Sequence, residues 1–251
     1  MYNQIAAYYD QLFPLSQEKV EWIKEKLHLK PGSRVLDLGC GSGDLVIALA
    51  RAGCQVKGID NDGNMVEKAR GKIQNAGIEG AWVSQEDMLN YSVSKRFNNI
   101  ICIGNTIPHL PNKKELISGL KLAYRTLTPG GKILLQTVNF DQDGVEHKQF
   151  PVLNAADGDV KFHRWYTPVA SNRTKNNEKR AKEEQVNFNV RLEILSENRE
   201  LRDTVPLLVL PQSYMKAALS KAGFKKIATY CGFSHELWHK NCGGTVYLAE
   251  R

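Results

Sequence analysis

Residues Val35-Leu-Asp-Leu-Gly-Cys-Gly-Ser-Gly-Asp44 decide how the rest of the chain is read. Arg34 to Leu38 reads as a short buried strand, the glycines as a turn, and Leu45 to Arg51 as an apolar helix ended by Gly53. In open α/β sheets ligands bind beyond the carboxyl ends of such strands. Without Cβ atoms, Gly39, Gly41 and Gly43 let a ligand approach the backbone. A dinucleotide fold uses G-x-G-x-x-G, with a pyrophosphate at the start of the next helix. Here the spacing is G-x-G-x-G, and Asp44 stands where the third glycine would be. A carboxylate there would repel a pyrophosphate, which argues against a nicotinamide dehydrogenase.

Outward from this turn, strand and helix alternate. Ser16 is positioned to cap a helix carrying Val20, Ile23 and Leu27, which Pro31-Gly32 breaks. Gln55 to Asp60 is a second strand, and Asp62 opens a helix with Met65, Val66, Ala69 and Ile73 on one face. Strands near Ala81-Val83, Asn99-Ile103 and Lys132-Val138 follow, with a helix around Lys113-Arg125. This order implies a doubly wound α/β fold, a mostly parallel sheet with helices on both faces. Between about residues 160 and 210 the pattern changes. Val186, Phe188, Val190, Leu192 and Ile194 alternate with period two, which predicts antiparallel strands with one covered face. A helix with Met215, Ala218 and Leu219 follows Pro211, then strands near Lys225-Tyr230 and Thr245-Ala249. The expected division is an amino-terminal helical lid over 1–30, a Rossmann-like unit over 31–150 and 211–251, and an inserted antiparallel β subdomain over 151–210.

The 251 residues are 42% hydrophobic and 24% charged, enough for a sizeable core. No run approaches the roughly 18 apolar residues of a membrane span, and MYNQIAAYYD lacks the pattern of a secretory signal. The five cysteines, Cys40, Cys54, Cys102, Cys231 and Cys242, are odd in number and form no C-x-x-C pair. That argues against a disulfide framework and against a zinc site, and fits a cytoplasmic location with no metal. The net charge of +7 permits a nucleic-acid partner without indicating one. Its densest run, Arg173 to Lys182, is interrupted by Glu178 and reads as a solvated loop or hairpin tip.

These motifs resemble class I S-adenosylmethionine (SAM)-dependent methyltransferases over roughly residues 33–140. The resemblance implies a seven-stranded sheet whose last strand is antiparallel, and SAM as cofactor. SAM has no pyrophosphate, so Asp37 and Asp44 are tolerable neighbours. The resemblance assigns Gly39 and Gly41 to the methionine moiety and Asp60 to the ribose. Asp60 lies about 20 residues beyond Gly39, the separation at which an acid reaches ribose hydroxyls; the rival role is a helix cap, shared with Asp62. Asp87, in Gln85-Glu-Asp-Met88, either accepts from the adenine amine or forms an exposed acidic turn. Further cofactor contacts are expected from Cys40, Asn61, Met65, Glu86, Met88, Gly104 and Tyr8.

For the acceptor, [DN]-P-P-[YF] is absent after the fourth strand. Gly104-Asn105, His109-Leu110 and Val138-Asn-Phe-Asp141 instead resemble the glycine and sarcosine N-methyltransferase branch. That resemblance places Asn139 near an acceptor amine, and Arg164, Tyr166, Arg191 and Tyr9 around the substrate. Asn105 is a second polar group for orienting the acceptor. His109 is either a general base or a structural hydrogen-bonding residue. Tyr8 and Tyr9 belong to a mobile lid or pack the first helix onto the sheet. The expected activity is methyl transfer to a small-molecule amine. The rivals are an O- or RNA-base methyltransferase and a SAM-binding regulatory module without turnover. Oligomeric state stays open.

Overall fold

Strand β1 (Arg34–Leu38) is an interior strand of the sheet, paired on both sides, and only its first residue escapes full burial. The computed structural model describes residues 5–92, 96–169 and 185–251. The basic run Arg173 to Lys182 lies outside them. From β1 the chain passes through α3 (Asp44–Arg51), β2 (Gln55–Asp60), α4 (Gly63–Asn75) and β3 (Ala81–Gln85), stepping towards one edge of the sheet. It then crosses to β4 (Phe97–Cys102), α5 (Lys113–Thr126) and β5 (Leu127–Val138) on the other side of β1. After the second sheet come α6 (Gln212–Ala222), β10 (Lys225–Cys231) and β11 (Gly244–Glu250). The order is β10-β11-β5-β4-β1-β2-β3. Only β11 runs against its neighbours, pairing antiparallel with both β5 and β10. This is the doubly wound seven-stranded sheet expected from the sequence.

Two apolar layers explain why helices cover both faces. Val20 and Ile23 of α2 (Gln17–Leu27), Leu45 and Leu49 of α3, and Val66 of α4 pack on Val35, Val56 and Leu134. On the other face Leu116, Leu120, Met215 and Leu219 pack on Leu36, Ile100 and Ile133. Each such Leu or Ile contributes about 1.5–3 kcal/mol of burial. The caps fall where side-chain chemistry predicts. Ser16 accepts the Lys19 N–H at 3.3 Å, and Asp62 accepts the Asn64 N–H at 2.9 Å.

The second sheet has four antiparallel strands in sequence order: β6 (Leu153–Ala155), β7 (Val160–Pro168), β8 (Gln185–Ile194) and β9 (Arg199–Leu208). Period-two alternation turns Phe162, Val190, Leu192 and Ile194 inward, where they meet Ile5 and Leu12 around helix α1 (Tyr9–Leu12). One sequence expectation fails here. Cys231 and Cys242 are joined in a disulfide, with Cα atoms 5.1 Å apart. Their separation of 11 residues hid the pairing, because the ends of β10 and β11 bring them together only in the antiparallel hairpin. Cys40, Cys54 and Cys102 are buried free thiols.

Candidate active site

The glycine turn is held by backbone bonds across the top of the sheet. The N–H groups of Gly39 and Cys40 both donate to Ile59 O, at 2.8 and 3.0 Å. Gly39 has φ +75°, and a Cβ there would lie 2.5 Å from Thr106 Cγ2, so only glycine fits. Asp60 closes the turn from below. Its Oδ2 accepts the Gly41 N–H at 2.8 Å and its Oδ1 the Asp62 N–H at 2.9 Å. Burial pushes the Asp60 carboxyl above its ordinary range, although these two backbone donors oppose the shift.

Above this turn lies a cavity of about 490 Å³ lined by Gly39, Gly41, Asp60, Asn61, Met65, Glu86, Asp87, Met88, Gly104 and His109, among others. Its lining carries the acids Asp60, Asp62, Glu86 and Asp87 and, among the described residues, no Lys or Arg. Such a wall suits a cationic ligand and disfavours a pyrophosphate. The two neighbouring acids differ in role. Glu86 is tied to Lys57 Nζ at 2.6 Å and to the Ser92 N–H at 3.2 Å. Asp87 caps its own turn, with Oδ1 accepting the Leu89 N–H at 2.8 Å.

Asp44 does not repel an anion as its place in the glycine string suggests. Its carboxylate is paired with Lys72, and it lines a second cavity, not the first. The Lys72 ammonium offsets the repulsion attributed to Asp44, so the case against a pyrophosphate passes to the four acids of the first cavity. Lys72 also reaches Asp10 at 3.1 Å, and Lys68 reaches Asp10 at 3.2 Å. These contacts latch α1 over the glycine turn. Burial works against ionised Asp10, but hydrogen bonds from Ser42, Lys72 and Lys68 outweigh it and hold the carboxyl below its ordinary range.

Through this latch Tyr9 lines both cavities. Its hydroxyl lies 3.4 Å from where a Cβ on Gly41 would stand. Burial, then the charges of Asp60 and Asp10, push its pKa up to about 12, so it remains a hydroxyl donor. Tyr8, expected at the cofactor, lines neither cavity. One position earlier on the same turn, it packs against the cluster of Ile5, Leu12 and Phe162.

The second cavity, of about 470 Å³, lies between the glycine turn and the inner face of the second sheet. Gly39, Ile103, Gly104, His109 and Tyr9 line both spaces, so the two meet there. Phe13, Phe150, Phe162, Phe188, Phe233 and Tyr166 supply aromatic walls. Arg164 stands among them, its guanidinium carbon 5.4 Å from the Phe13 and Phe150 ring centres and 5.8 Å from that of Phe162. One Arg164 amino group donates to Pro151 O at 3.1 Å, while its buried Nε has no hydrogen-bond partner. Asp37 is buried with Oδ1 unpartnered. Burial, then the Asp60 charge, raise its pKa to about 7.

Asn105 takes a left-handed conformation, φ +62°, and joins three elements. Its N–H donates to Gln136 Oε1 at 3.2 Å, its Oδ1 accepts the Val138 N–H at 2.8 Å, and its Nδ2 lies 3.4 Å from the Tyr166 hydroxyl. His109 borders both cavities, but burial takes its pKa down to about 4. It is a neutral imidazole at neutral pH, far from the value that suits a general base there. Cys40, expected at the cofactor, lines the second cavity and not the first, and its Sγ lies 3.8 Å from Gly41 O.

Two residues expected at the acceptor are elsewhere. Asn139 is fully buried and lines neither cavity. Its Nδ2 donates to Lys240 O at 2.8 Å and Cys242 O at 3.0 Å, and its Oδ1 accepts the Asp141 N–H at 3.1 Å. It fastens the end of β5 to the 232–243 loop. Asn139→Ala therefore costs about 1–3 kcal/mol of stability by leaving Lys240 O and the Asp141 N–H without this partner. Cys242 O keeps Gln142 Nε2, and thermal unfolding would register the loss. Function per folded molecule should barely change; a large loss at unaltered stability would return Asn139 to the site. Arg191 lies on the outer face of β8, paired with Glu193 at 3.0 Å. The alternation that buries Val190 and Leu192 turns it away from the cavity. Sequence reasoning missed Thr106, Gln136, Asp37 as an unpartnered acid, and the phenylalanines. Only Phe188 had a signal, its place in the inward alternation.

A family profile described as a methyltransferase domain matches residues 29–195. Curated relatives include the ubiquinone biosynthesis O-methyltransferase of Xanthomonas euvesicatoria pv. vesicatoria, 32% identical over 129 residues. That match covers 51% of this chain and 52% of the relative. The corresponding protein of Coxiella burnetii is 29% identical over 121 residues, 48% of this chain and 50% of the relative. The chain thus spans about half the length of the curated relatives it matches. Among solved structures, a SAM-dependent methyltransferase from Clostridium acetobutylicum superposes with a TM-score of 0.78 at 17% identity, over 99% of this chain and 98% of the other. At that identity the likeness concerns the fold. With the acid-lined cavity at the glycine turn and the matched profile, the chain belongs to the methyltransferase-domain family, in the class I SAM-dependent fold.

Proposed function

We propose that the chain transfers a methyl group from SAM, held in the first cavity, to a small-molecule amine held in the second. The observation that carries this reading is the meeting of the two cavities at Gly39, Ile103, Gly104, His109 and Tyr9. Bound SAM supplies an activated methyl on a sulfonium. The residues then have to orient the acceptor, exclude water and receive a proton. Orientation of this kind is worth up to roughly 7–11 kcal/mol. Gly39, Gly41 and Asp60 hold the cofactor, and the Asp87 wall faces its base. Asp37 lines the second cavity, two residues before the Gly39 wall that both cavities share, and presents an unpartnered oxygen to the positive charge of a cofactor reaching that junction. Asn105 positions Tyr166, and Tyr9 guards the passage. The segment around α1 acts as the lid, α2, packed on the sheet, joins 31–150 and 211–251 as the cofactor unit, and 151–210 acts as the acceptor cover.

The second cavity holds Asp37 and Asp44 beside Lys19 and Arg164. With no strong base at His109, a neutral amine, already a nucleophile, is favoured over a hydroxyl that has to be deprotonated. Two solved structures with this fold are named as an amino pentose methyltransferase from Micromonospora echinaspora, TM-score 0.68 at 17% identity, and a sugar N-methyltransferase from Streptoalloteichus, TM-score 0.67 at 16% identity. The glycine and sarcosine branch fits less well. A cavity of about 470 Å³ walled by aromatic rings is large for so small an acceptor. The curated O-methyltransferase relatives favour a hydroxyl as the alternative acceptor.

The test is S-adenosylhomocysteine release across amino sugars, aromatic amines, amino acids, phenols and tRNA. Turnover on amines is expected. Turnover on phenols alone would give the O-transfer reading, and salt-sensitive RNA binding with turnover the nucleic-acid one. Tight SAM binding without release from any pool would mark a regulatory module.

The Asp37 carboxyl gives a pH signature. It is raised to about 7 in the ligand-free chain, and only its ionised form attracts a cation. SAM affinity should therefore fall as pH drops through about 7, by at most about tenfold per unit. Calorimetry between pH 6 and 8 would show it, and Asp37→Asn should flatten the dependence. A flat profile in the unsubstituted chain would remove Asp37 from the cofactor site.

A further inference from the structure

The hairpin between β10 and β11 carries a second constellation, apart from both cavities. Cys231 ends β10, Cys242 precedes β11, and His239 stands between them in sequence. The three offer Sγ, Nε2 and Sγ within 4.8 Å of one another. Backbone bonds hold the hairpin in shape: the Cys231 N–H donates to Glu236 O at 2.9 Å, and the Trp238 N–H to Thr229 O at 3.0 Å. His239 Nε2 lies 3.8 Å from Cys231 Sγ and 3.0 Å from Glu236 Oε1. The His239 N–H points at Cys242 Sγ, 3.3 Å away. An amide aimed at a sulfur stabilises a thiolate, and outer hydrogen bonds of this kind orient metal ligands.

We propose that, when its disulfide is reduced, the chain binds one zinc ion through Cys231, His239 and Cys242, with Glu236 or water completing a tetrahedron. Zinc–sulfur and zinc–nitrogen bonds of about 2.3 and 2.0 Å put neighbouring S and N ligands about 3.6 Å apart, close to the 3.8 Å between Cys231 Sγ and His239 Nε2. A thiol or phosphine reductant supplies two electrons and is itself oxidised, and the S–S bond becomes two thiols. Zinc binding then releases both thiol protons to solvent, and the one proton of the neutral ring moves through water from Nε2 to Nδ1. In exchange His239 Nδ1, which accepts the Asn241 N–H at 3.2 Å in the disulfide form, becomes the N–H side of the ring. That one contact, in an exposed loop, is given up.

The consequence reaches the acceptor cavity. The 232–243 loop contributes Phe233 to its wall, and through Lys240 O and Cys242 O it receives Asn139. Disulfide and zinc are thus alternative clamps on one loop, the metal serving wherever the thiols are kept reduced.

The test uses the full chain, reduced with a phosphine and titrated with zinc chloride against a chromophoric chelator. One equivalent is expected to bind, with none in the oxidised chain. Cobalt in place of zinc should give thiolate charge-transfer absorption. His239→Ala, at an exposed position, should weaken binding on the order of 100-fold, and Cys231→Ser should abolish the stoichiometric site, while circular dichroism reports an intact fold. Failure of the reduced chain to bind zinc overturns the proposal. So does binding that survives both substitutions, which would assign the metal to other thiols.

Discussion

Asp60→Ala raises the dissociation constant for SAM by on the order of 100-fold or more. Each hydrogen bond to a charged acceptor is worth about 1.5–3 kcal/mol, and Asp60 is the residue proposed to receive the ribose hydroxyls. The same carboxylate fixes the Gly41 and Asp62 N–H groups, so the substitution also loosens the glycine turn. Asp60→Asn is not a mild version, because its amide nitrogen would face one of those two backbone donors. Calorimetry with SAM measures the effect, with thermal unfolding as a control for the folded fraction. An affinity unchanged in a folded Asp60→Ala chain would mean that the first cavity is not the cofactor site.

Arg164→Ala is expected to act on the other half of the reaction. It should lower kcat/KM for the acceptor on the order of 10- to 100-fold and leave SAM affinity unaltered. The guanidinium is desolvated among three phenylalanine rings, where cation–π attraction reaches about 2 kcal/mol. Its buried Nε lacks a partner, and a polar atom of the acceptor can supply one. Arg164→Lys should not restore activity, since an ammonium lacks the planar fork that stacks on rings and donates at Nε. Steady-state kinetics with each substrate varied separates the two halves. A loss of SAM affinity with acceptor kinetics intact would reverse the assignment of the cavities.

Much of the fold was legible because its signals are local. The glycine string, the caps at Ser16 and Asp62, and the period-two alternation from Val186 to Ile194 each depend on neighbours within a few residues. The positions proposed for the cofactor, Gly39, Gly41, Asp60 and Asp87, follow from strand ends, which the same patterns locate. The acceptor side was less legible because its contacts are long-range. Asn139 is determined by carbonyls about 100 residues away, and no local pattern distinguishes such a clasp from a substrate contact. The Asp44 argument failed for the same reason, since Lys72 lies on the next helix. Arg191 is different. Its parity with respect to Val190 and Leu192 already put it on the outer face, so that assignment conflicted with the alternation used to predict the strand. Tyr8 and Tyr9 could not be separated without knowing how α1 turns over Gly41.

The most direct test of the two-cavity account is a crystal structure grown with S-adenosylhomocysteine, the product that remains after transfer. The account predicts density in the acid-lined cavity, against Asp60 and Asp87, with the sulfur at the passage bounded by Gly39, Gly104 and Tyr9. The space around Arg164 should stay open for the acceptor. Density running instead among Phe150, Phe162 and Arg164, or outside both cavities, would contradict it.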